Sequence, residues 1–281
     1  MTKGVFRKAT EISDELMEQL PTPPEEKWIC PVCGRVNTSW LPTIAALFKK
    51  EEGPMWRHGD CKWCAEEAVK REAIEAEQRA RASRMARIKH LHSKAGLPPE
   101  MAYVKFAELE RRHGAEDAFY ELENLDVAND RTWLCITGMN NTGKSRLLAA
   151  TSNRQNALLI PTLYINETLF FKTVKESWDD VGESKLMGLF AMADLVLWDE
   201  FCFYDYTQRN WIYERVYAIL EQLAESDKKV VFVTNVQVAR KKAGDPDEKS
   251  IEGRCGKRIW ARLQRRNTRY VGMQNEPFCQ I

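Results

Sequence analysis

The stretch that decides the fold of this chain is Gly138-Met139-Asn140-Asn141-Thr142-Gly143-Lys144-Ser145. An apolar run at residues 133–137 precedes it, and residues 146–150 continue it with a helical pattern. This pattern predicts a strand, a glycine-bounded loop and a helix in that order. Together with the spacing G-x-x-x-x-G-K-S, the order is typical of a phosphate-binding loop. The glycines let successive backbone N–H groups point at phosphate oxygens beside a helix N-terminus. We therefore predict a nucleoside triphosphate site formed by Gly138, Asn140, Asn141, Thr142, Gly143, Lys144 and Ser145.

Two side chains of this loop have specific chemical roles in the prediction. Lys144 is expected to reach the β- and γ-phosphates, and the Ser145 hydroxyl is expected to ligate Mg²⁺. The alternative is a glycine-rich turn without function, but the strand and helix on either side argue against it.

Two acidic residues, Asp199 and Glu200, follow another apolar strand, residues 194–198. Asp199 is fifty-five positions after Lys144. Ligands of open α/β sheets bind at the carboxyl ends of the strands. We expect Asp199 to hold Mg²⁺ and Glu200 to orient and deprotonate the attacking water. Asn235 ends the next strand and could hold the same water. The alternatives are a strand that ends in two exposed acids, and a turn-forming asparagine.

The chain from residue 100 onward alternates strand and helix patterns. Helices are predicted at residues 116–125, 167–178 and 207–225, and strands at 133–137, 157–165, 194–198 and 229–234. Pro161 indicates that the second of these strands begins only there. Such alternation predicts an α/β fold with a mostly parallel sheet covered by helices on both faces.

Four cysteines near the N-terminus form two C-x-x-C pairs, Cys30/Cys33 and Cys61/Cys64, separated by 27 residues. Four thiolates suit a tetrahedral, structural zinc ion with no open catalytic position. The alternatives are a redox C-x-x-C motif or disulfides; no βαβ pattern surrounds the pairs, and the compartment is expected to be reducing. His58 could replace a cysteine, although a surface histidine is the simpler interpretation.

Composition places the 281 residues among water-soluble globular proteins, with 44% hydrophobic and 30% charged residues. The net charge of +1 means that affinity for nucleic acid has to come from local patches. No apolar stretch reaches the 18 residues of a membrane span, and the N-terminus does not have the pattern of a signal peptide. We expect a cytoplasmic protein with no membrane partner, whose eight cysteines are thiols or metal ligands.

The predicted organisation has four parts. Residues 1–27 are a polar tail with one short helix at 11–20, residues 28–66 a zinc-binding domain, residues 67–98 a helical linker and residues 99–281 the nucleotide-binding domain. The linker lacks glycine and proline over residues 65–95, and its second half is basic. A solvated helix is the favoured interpretation of that charge, and contact with nucleic acid is the alternative.

Basic residues dominate the region between Gly253 and Tyr270, which contains no acid. Three of its arginines, Arg258, Arg262 and Arg266, recur at i, i+4 and i+8 along one helical face. A guanidinium face could bind DNA phosphates, or place an arginine against the γ-phosphate of a neighbouring subunit. A solvated basic surface is the alternative.

These motifs together resemble the AAA+ helicase loaders of the DnaC/DnaI type. The resemblance rests on residues 138–145, on Asp199-Glu200, on Val233-Thr234-Asn235, and on the Gly-x-Arg-x-x-x-Arg pattern at residues 256–262. Residues 96–106 are similar to the entry into the ATPase domain of that family, and a zinc domain ahead of the ATPase is similar to the DnaI arrangement.

The resemblance implies roles for individual residues. Lys144 and Ser145 correspond to Walker A, Asp199 and Glu200 to Walker B, and Asn235 to sensor 1. Arg262 corresponds to the arginine finger with Arg258 beside it, and Lys175 and Trp178 to contacts with single-stranded DNA, with Trp211 as a weaker third.

The implied function is an ATPase that uses ATP, Mg²⁺ and a zinc domain to bring a DnaB-type hexameric helicase onto single-stranded DNA. Its copies would associate through a shared ATP site. Two alternatives stay open: an IstB-like transposition helper ATPase, and a nucleotide-gated adaptor that scarcely hydrolyses ATP.

Overall fold

The computed structural model describes residues 24–42, 56–59, 61–94, 96–176, 180–238 and 250–274. The chain divides into two compact units, Met1–Arg79 and Ala80–Ile281. The predicted helix at residues 11–20 lies outside the described residues, and the domain boundaries expected from the sequence stay a prediction.

The first unit is built from two short antiparallel ladders and the start of a helix. Strand β1 (Trp28–Ile29) pairs with β2 (Val36–Asn37), and β3 (Trp40–Pro42) pairs with β4 (Trp56–His58). Helix α1 (Lys62–Lys94) begins five residues before the helical linker expected from residue 67. Cys64 therefore lies in the first turn of α1 rather than ahead of it.

The second unit contains a five-stranded sheet in which every pairing is parallel. Its strands are β5 (Leu134–Gly138), β6 (Thr162–Asn166), β7 (Leu195–Asp199), β8 (Lys229–Thr234) and β9 (Arg269–Met273), arranged in the order β6-β7-β8-β5-β9. The phosphate-binding loop follows β5. Strand β8 lies between β5 and β7, so the ends of three neighbouring strands meet at one edge.

Helices cover both faces of this sheet, which confirms the predicted fold class. The helices after α1 are α2 (Glu116–Glu123), α3 (Lys144–Ala157), α4 (Glu167–Glu176), α5 (Asp180–Met192), α6 (Asn210–Glu225) and α7 (Ile251–Arg265). Alternate residues of β7 divide between the two cores: Val196 and Trp198 join one, and Leu195 and Leu197 the other. None of the described helices is long and apolar enough to cross a bilayer.

Some predicted bounds are wrong. The strand expected at 157–165 starts at Thr162, one residue after the start that Pro161 indicated, because α3 continues to Ala157 and a turn follows. The helix expected from residue 207 starts at Asn210, after the short 3-10 helix Tyr206–Gln208. The described part of the helix expected at 167–178 is Glu167–Glu176.

The C-terminal part of α1 joins the core of the second unit. Leu91 is fully buried there, and the Arg87 guanidinium binds the Met192 carbonyl at 2.6 Å and the Asp194 carboxylate at 2.9 Å. These contacts anchor α1 beside the N-terminal end of β7.

Candidate functional site

The phosphate-binding loop has the backbone that its glycines and asparagines favour. Asn141 and Gly143 both have left-handed φ values, 60° and 92°. Gly143 is the N-cap of α3 and provides no side-chain cap. The first N–H groups of α3 are therefore available to an anion at the positive end of the helix.

Lys144 turns back over this loop. Its Nζ donates to the carbonyl oxygen of Gly138 at 2.9 Å and to Thr142 Oγ1 at 3.2 Å, and it also contacts the Met139 carbonyl. The residue is buried, and burial lowers the pKa of Lys144 to about 8, while the Asp199 carboxylate opposes that shift. An ammonium group surrounded by carbonyl oxygens is well placed to exchange them for phosphate oxygens.

Asp199 is a buried carboxylate at the end of β7, only 3% exposed. Its Oδ2 accepts a hydrogen bond from the Tyr164 hydroxyl at 2.6 Å, and its Oδ1 accepts one from the Glu200 N–H at 3.0 Å. Burial raises the pKa of Asp199, and the hydrogen bonds from Tyr164 and Ser145 oppose this. The hydroxyl of Ser145 and this carboxylate are thus adjacent, which provides two of the oxygen ligands that Mg²⁺ prefers.

Glu200 and Asn235 extend from the same edge. Glu200 has a left-handed φ of 60°, and its Oε2 accepts a hydrogen bond from the Thr168 hydroxyl at 2.9 Å. Asn235 is exposed directly after β8. Neither side chain belongs to the hydrophobic core.

A cavity of about 730 Å³ brings these residues together. Its lining comes from the phosphate-binding loop, from the end of β7 and from the end of β8: Asn140, Asn141, Thr142, Gly143, Lys144, Ser145, Arg146, Asp199, Glu200, Val233, Thr234 and Asn235. Met101 and Phe203 complete the wall. Neither was predicted as a site residue: Met101 lies in a short 3-10 helix within the stretch 96–106, and Phe203 lies in a loop.

A second, smaller cavity of about 210 Å³ shares Thr142, Gly143 and Arg146 with the first. Its other walls are formed by residues near α2, α3 and β9: Glu108, Leu109, Glu110, Arg112, Ala115, Phe119, Leu147 and Met273. The lining is about half apolar and half polar or charged, and its apolar side chains Leu109, Phe119 and Leu147 could pack against a flat heterocycle. Sequence reasoning missed these residues because they are far apart along the chain.

The two candidate finger arginines lie on α7 and pack against α6. Arg258 is exposed and places its guanidinium 4.3 Å from the Tyr217 ring centre. Arg262 forms an ion pair with Glu221. Neither lines the two cavities described above. A role for them at an ATP site would therefore involve a second copy of the chain.

Two of the three predicted DNA contacts lie on α4 and at the start of α6. Lys175 is exposed on α4. Trp211 is half-buried and packs edge-on against Phe171 of α4, with ring centres 5.7 Å apart. Trp178 lies outside the described residues. Lys175 and Trp211 thus belong to elements in direct contact, and their role in binding DNA stays a prediction.

The four N-terminal cysteines converge. All four Sγ atoms lie within 4.8 Å of one another, with 3.7 Å between Cys30 and Cys64 and 3.5 Å between Cys33 and Cys61. Tetrahedral zinc with Zn–S bonds of about 2.3 Å requires Sγ atoms about 3.8 Å apart, so the four thiols fit this ion. The side chain of His58 lies outside the described part of the chain.

Comparisons with known proteins bear on the fold. The AMPPCP-bound DnaA from Aquifex aeolicus is similar with a TM-score of 0.51 and 16% identity, over 63% of this chain and 51% of that one. A replication initiator DnaA bound to AMPPCP and single-stranded DNA gives 0.50 and 18%, over 64% and 52%. A DnaI structure gives 0.49 and 15%, over 65% and 94%.

The matched region spans about half the length of the two DnaA structures. No protein-family model matches the sequence, and no curated protein matches it. The strand order, the phosphate-binding loop and the similarity to DnaA define the class: the second unit has the AAA+ P-loop fold, preceded by a four-cysteine cluster suited to zinc.

Proposed function

We propose that this chain is an ATP-dependent loader that delivers a DnaB-type hexameric helicase onto single-stranded DNA. The nucleotide part is supported by one observation: Lys144, Asp199, Glu200 and Asn235 line a single cavity. Together they would supply a phosphate-binding lysine, a ligand for Mg²⁺ and a general base. The loader part is supported by the resemblance of the sequence motifs to the DnaC/DnaI type.

The residues of the cavity divide the work of hydrolysis. Lys144 and the N–H groups of α3 would bind the phosphates, while Ser145 and Asp199 would hold Mg²⁺. The bound metal ion would neutralise charge on the phosphate oxygens. Glu200 orients the attacking water and accepts its proton, and Asn235 fixes the same water. The smaller cavity beside the loop takes the base.

Arg262 completes the site from a neighbouring copy in this proposal. Its guanidinium is permanently charged and can stabilise charge that develops on the γ-phosphate. Within its own chain the guanidinium is held by Glu221. Assembly would exchange that carboxylate for a phosphate, an anion of higher charge.

The zinc unit is the proposed helicase contact. Three of its apolar side chains are exposed around the cysteine cluster: Ile29 at 67%, Val32 at 84% and Val36 at 50%. We propose that these side chains, which are near Cys30 and Cys33 in sequence, contact the helicase. Lys175, Trp178 and Trp211 are the proposed contacts to single-stranded DNA, which is also the nucleic acid bound in one of the similar DnaA structures.

A loading assay tests this function. The full chain, ATP and the replicative helicase are mixed with circular single-stranded DNA, and the helicase retained on the circles is measured. We expect ATP-dependent retention that Lys144→Ala abolishes. The double substitution Cys33→Ser and Cys61→Ser should abolish retention while ATP binding persists. Retention that is the same without the loader would refute the proposal, and stimulation of a transposase on duplex DNA instead would favour the transposition alternative.

A further inference from the structure

Glu167 is a fully buried carboxyl group that the proposed chemistry does not use. It is the first residue of α4, directly after β6, and 0% of its surface is exposed. It does not line the nucleotide cavity. A buried carboxylate is stable only when hydrogen bonds replace its hydration, so its partners indicate what it supports.

Among the described residues, the hydrogen-bond donors to Glu167 come from one short segment, residues 198–206. Oε2 accepts hydrogen bonds from the Tyr206 hydroxyl at 2.5 Å, from Trp198 Nε1 at 3.1 Å and from the Cys202 N–H at 3.1 Å, and Oε1 accepts one from the Tyr204 N–H at 3.3 Å. Burial raises the pKa of Glu167, and these donors, which favour the ionised form, oppose that shift. One carboxyl group therefore accepts hydrogen bonds from residues that precede and residues that follow Asp199-Glu200 in the sequence.

Residues 198–206, which donate hydrogen bonds to Glu167, include two residues with unfavourable backbone dihedral angles. Glu200 and Cys202 both have a φ of 60°, in the left-handed region that side chains other than glycine, asparagine and aspartate rarely occupy. Such conformations persist only where the surroundings hold them. Cys202 is held directly, because its N–H donates to Glu167.

The next residue of α4 reaches the same segment. Thr168 donates its hydroxyl to Glu200 at 2.9 Å. The first turn of α4 thus holds the segment through two side chains: Glu167 accepts four hydrogen bonds from it, and Thr168 donates one to Glu200.

We propose that Glu167 is a positioning residue for hydrolysis: it holds residues 198–206 against the first turn of α4 and so presents Glu200 to the nucleotide. This inference rests on the proposed ATPase activity. It predicts that Glu167 affects the chemical step and leaves the binding of ATP to the phosphate loop unchanged.

The test is Glu167→Gln in the full chain. The amide keeps the shape but turns one acceptor into a donor that faces other donors. We expect kcat for ATP to fall by about tenfold or more, as is usual when hydrogen bonds that orient a catalytic group are lost. The Kd for ATP should stay within about twofold. If this variant does not fold, Tyr206→Phe, which removes one donor, should lower kcat less and in the same direction.

A matched control separates positioning from general destabilisation. Asp130 binds the buried Lys229 at 2.7 Å at the start of β8, the opposite end of the sheet from the cavity. Asp130→Asn should lower the melting temperature while kcat per folded molecule is unchanged. Equal kcat losses in both variants would reduce Glu167 to a structural role and overturn the proposal.

A double-mutant cycle tests the route through Glu200. In a Glu200→Gln background, Glu167→Gln should cost little further activity, because the group that it positions is already lost. Independent, multiplicative losses would overturn the proposal. A wild-type chain that hydrolyses no ATP would refute the proposed ATPase and this inference together, whereas normal wild-type turnover with an unchanged Glu167→Gln rate would refute only the inference.

Discussion

The Tyr164 hydroxyl donates a 2.6 Å hydrogen bond to Oδ2 of Asp199, the residue that ends the neighbouring strand. Since Glu200 N–H binds Oδ1, each carboxylate oxygen has a fixed donor and the plane of the carboxylate is set. Tyr164 is itself only 2% exposed, and burial raises the pKa of its hydroxyl further above its usual value, so it stays a donor. The orientation of Asp199 toward the proposed metal ion is therefore set by the protein's own hydrogen bonds.

Tyr164→Phe should weaken binding of Mg²⁺-ATP without weakening binding of metal-free ATP. The substitution removes one oxygen atom and lets the Asp199 carboxylate rotate, and loss of such a supporting hydrogen bond costs about tenfold in metal affinity. Titration of a fluorescent ATP analogue, in a Mg²⁺ series and in EDTA, measures both. Tyr120→Phe, at a residue 68% exposed on α2, is the control. An unchanged Mg²⁺ dependence would contradict the role of Tyr164.

ATP affinity should decline as the pH rises above about 8. Burial lowers the pKa of Lys144 to about 8 in the free chain, and a bound phosphate favours the charged form. Above that pH binding must take up a proton, so the Kd should rise by up to about tenfold per pH unit. Calorimetry in buffers of different ionisation enthalpy would measure this uptake at pH 9.

Lys144→Arg is the control for this titration, because a guanidinium keeps its charge throughout the range. Its affinity for ATP, whatever its size, should be nearly flat between pH 7 and pH 9. A wild-type profile as flat as that of the arginine variant would show that Lys144 does not titrate in this window.

Gly256→Ala should destabilise the chain by about 1–3 kcal/mol. Gly256 bends α7 with φ 76° and ψ 163°, a conformation almost restricted to glycine, and an added Cβ would lie 3.0 Å from the Tyr213 ring. Gly188→Ala in α5 meets no atom within 4 Å and should stabilise the chain by about 0.5–1 kcal/mol. Urea unfolding measures both changes. Equal effects of the same sign would contradict a special backbone at Gly256.

Mixing two inactive variants should restore ATP turnover if the site is shared. A Lys144→Ala chain supplies an intact Arg262, and an Arg262→Ala chain supplies an intact Lys144. Where Arg262 of the first variant faces Lys144 of the second, the ATP site between the two chains would have both residues. The mixture should therefore hydrolyse ATP faster than either variant alone. A mixture as inactive as its components would contradict a finger provided by a neighbour, and would leave the Arg262–Glu221 pair a structural contact.

The parts that could be predicted from the sequence are those whose chemistry is local. In each predicted motif the residues are only a few positions apart in sequence: the phosphate-binding loop, the acids after β7 and each cysteine pair. The alternation of apolar runs likewise predicts the parallel sheet. Strand β9 was missed because it is a short edge strand, Arg269–Met273, with a charged start and an inner glycine. Helix α5 was missed because apolar residues near its end merge with those of β7.

The contacts that set the geometry of the site could not be predicted. Tyr164 and Asp199 are 35 positions apart, as are Glu167 and Cys202, and their hydrogen bonds follow from the order of the strands. Likewise, the sequence marks Arg262 as basic but does not show that Glu221 holds it. These pairings depend on how strands and helices pack in three dimensions, and the hydrophobic periodicity of the sequence does not contain that information.

Steady-state ATP turnover by the full chain, with and without single-stranded DNA, tests the central claim most directly. The wild type should hydrolyse ATP. Glu200→Gln should bind ATP but turn it over about a hundredfold or more slower, since it lacks a general base, and Lys144→Ala should lose binding. Equal turnover in all three proteins would contradict the assignment of this cavity as an ATPase site, and ATP binding without turnover in the wild type would establish a nucleotide-gated adaptor instead.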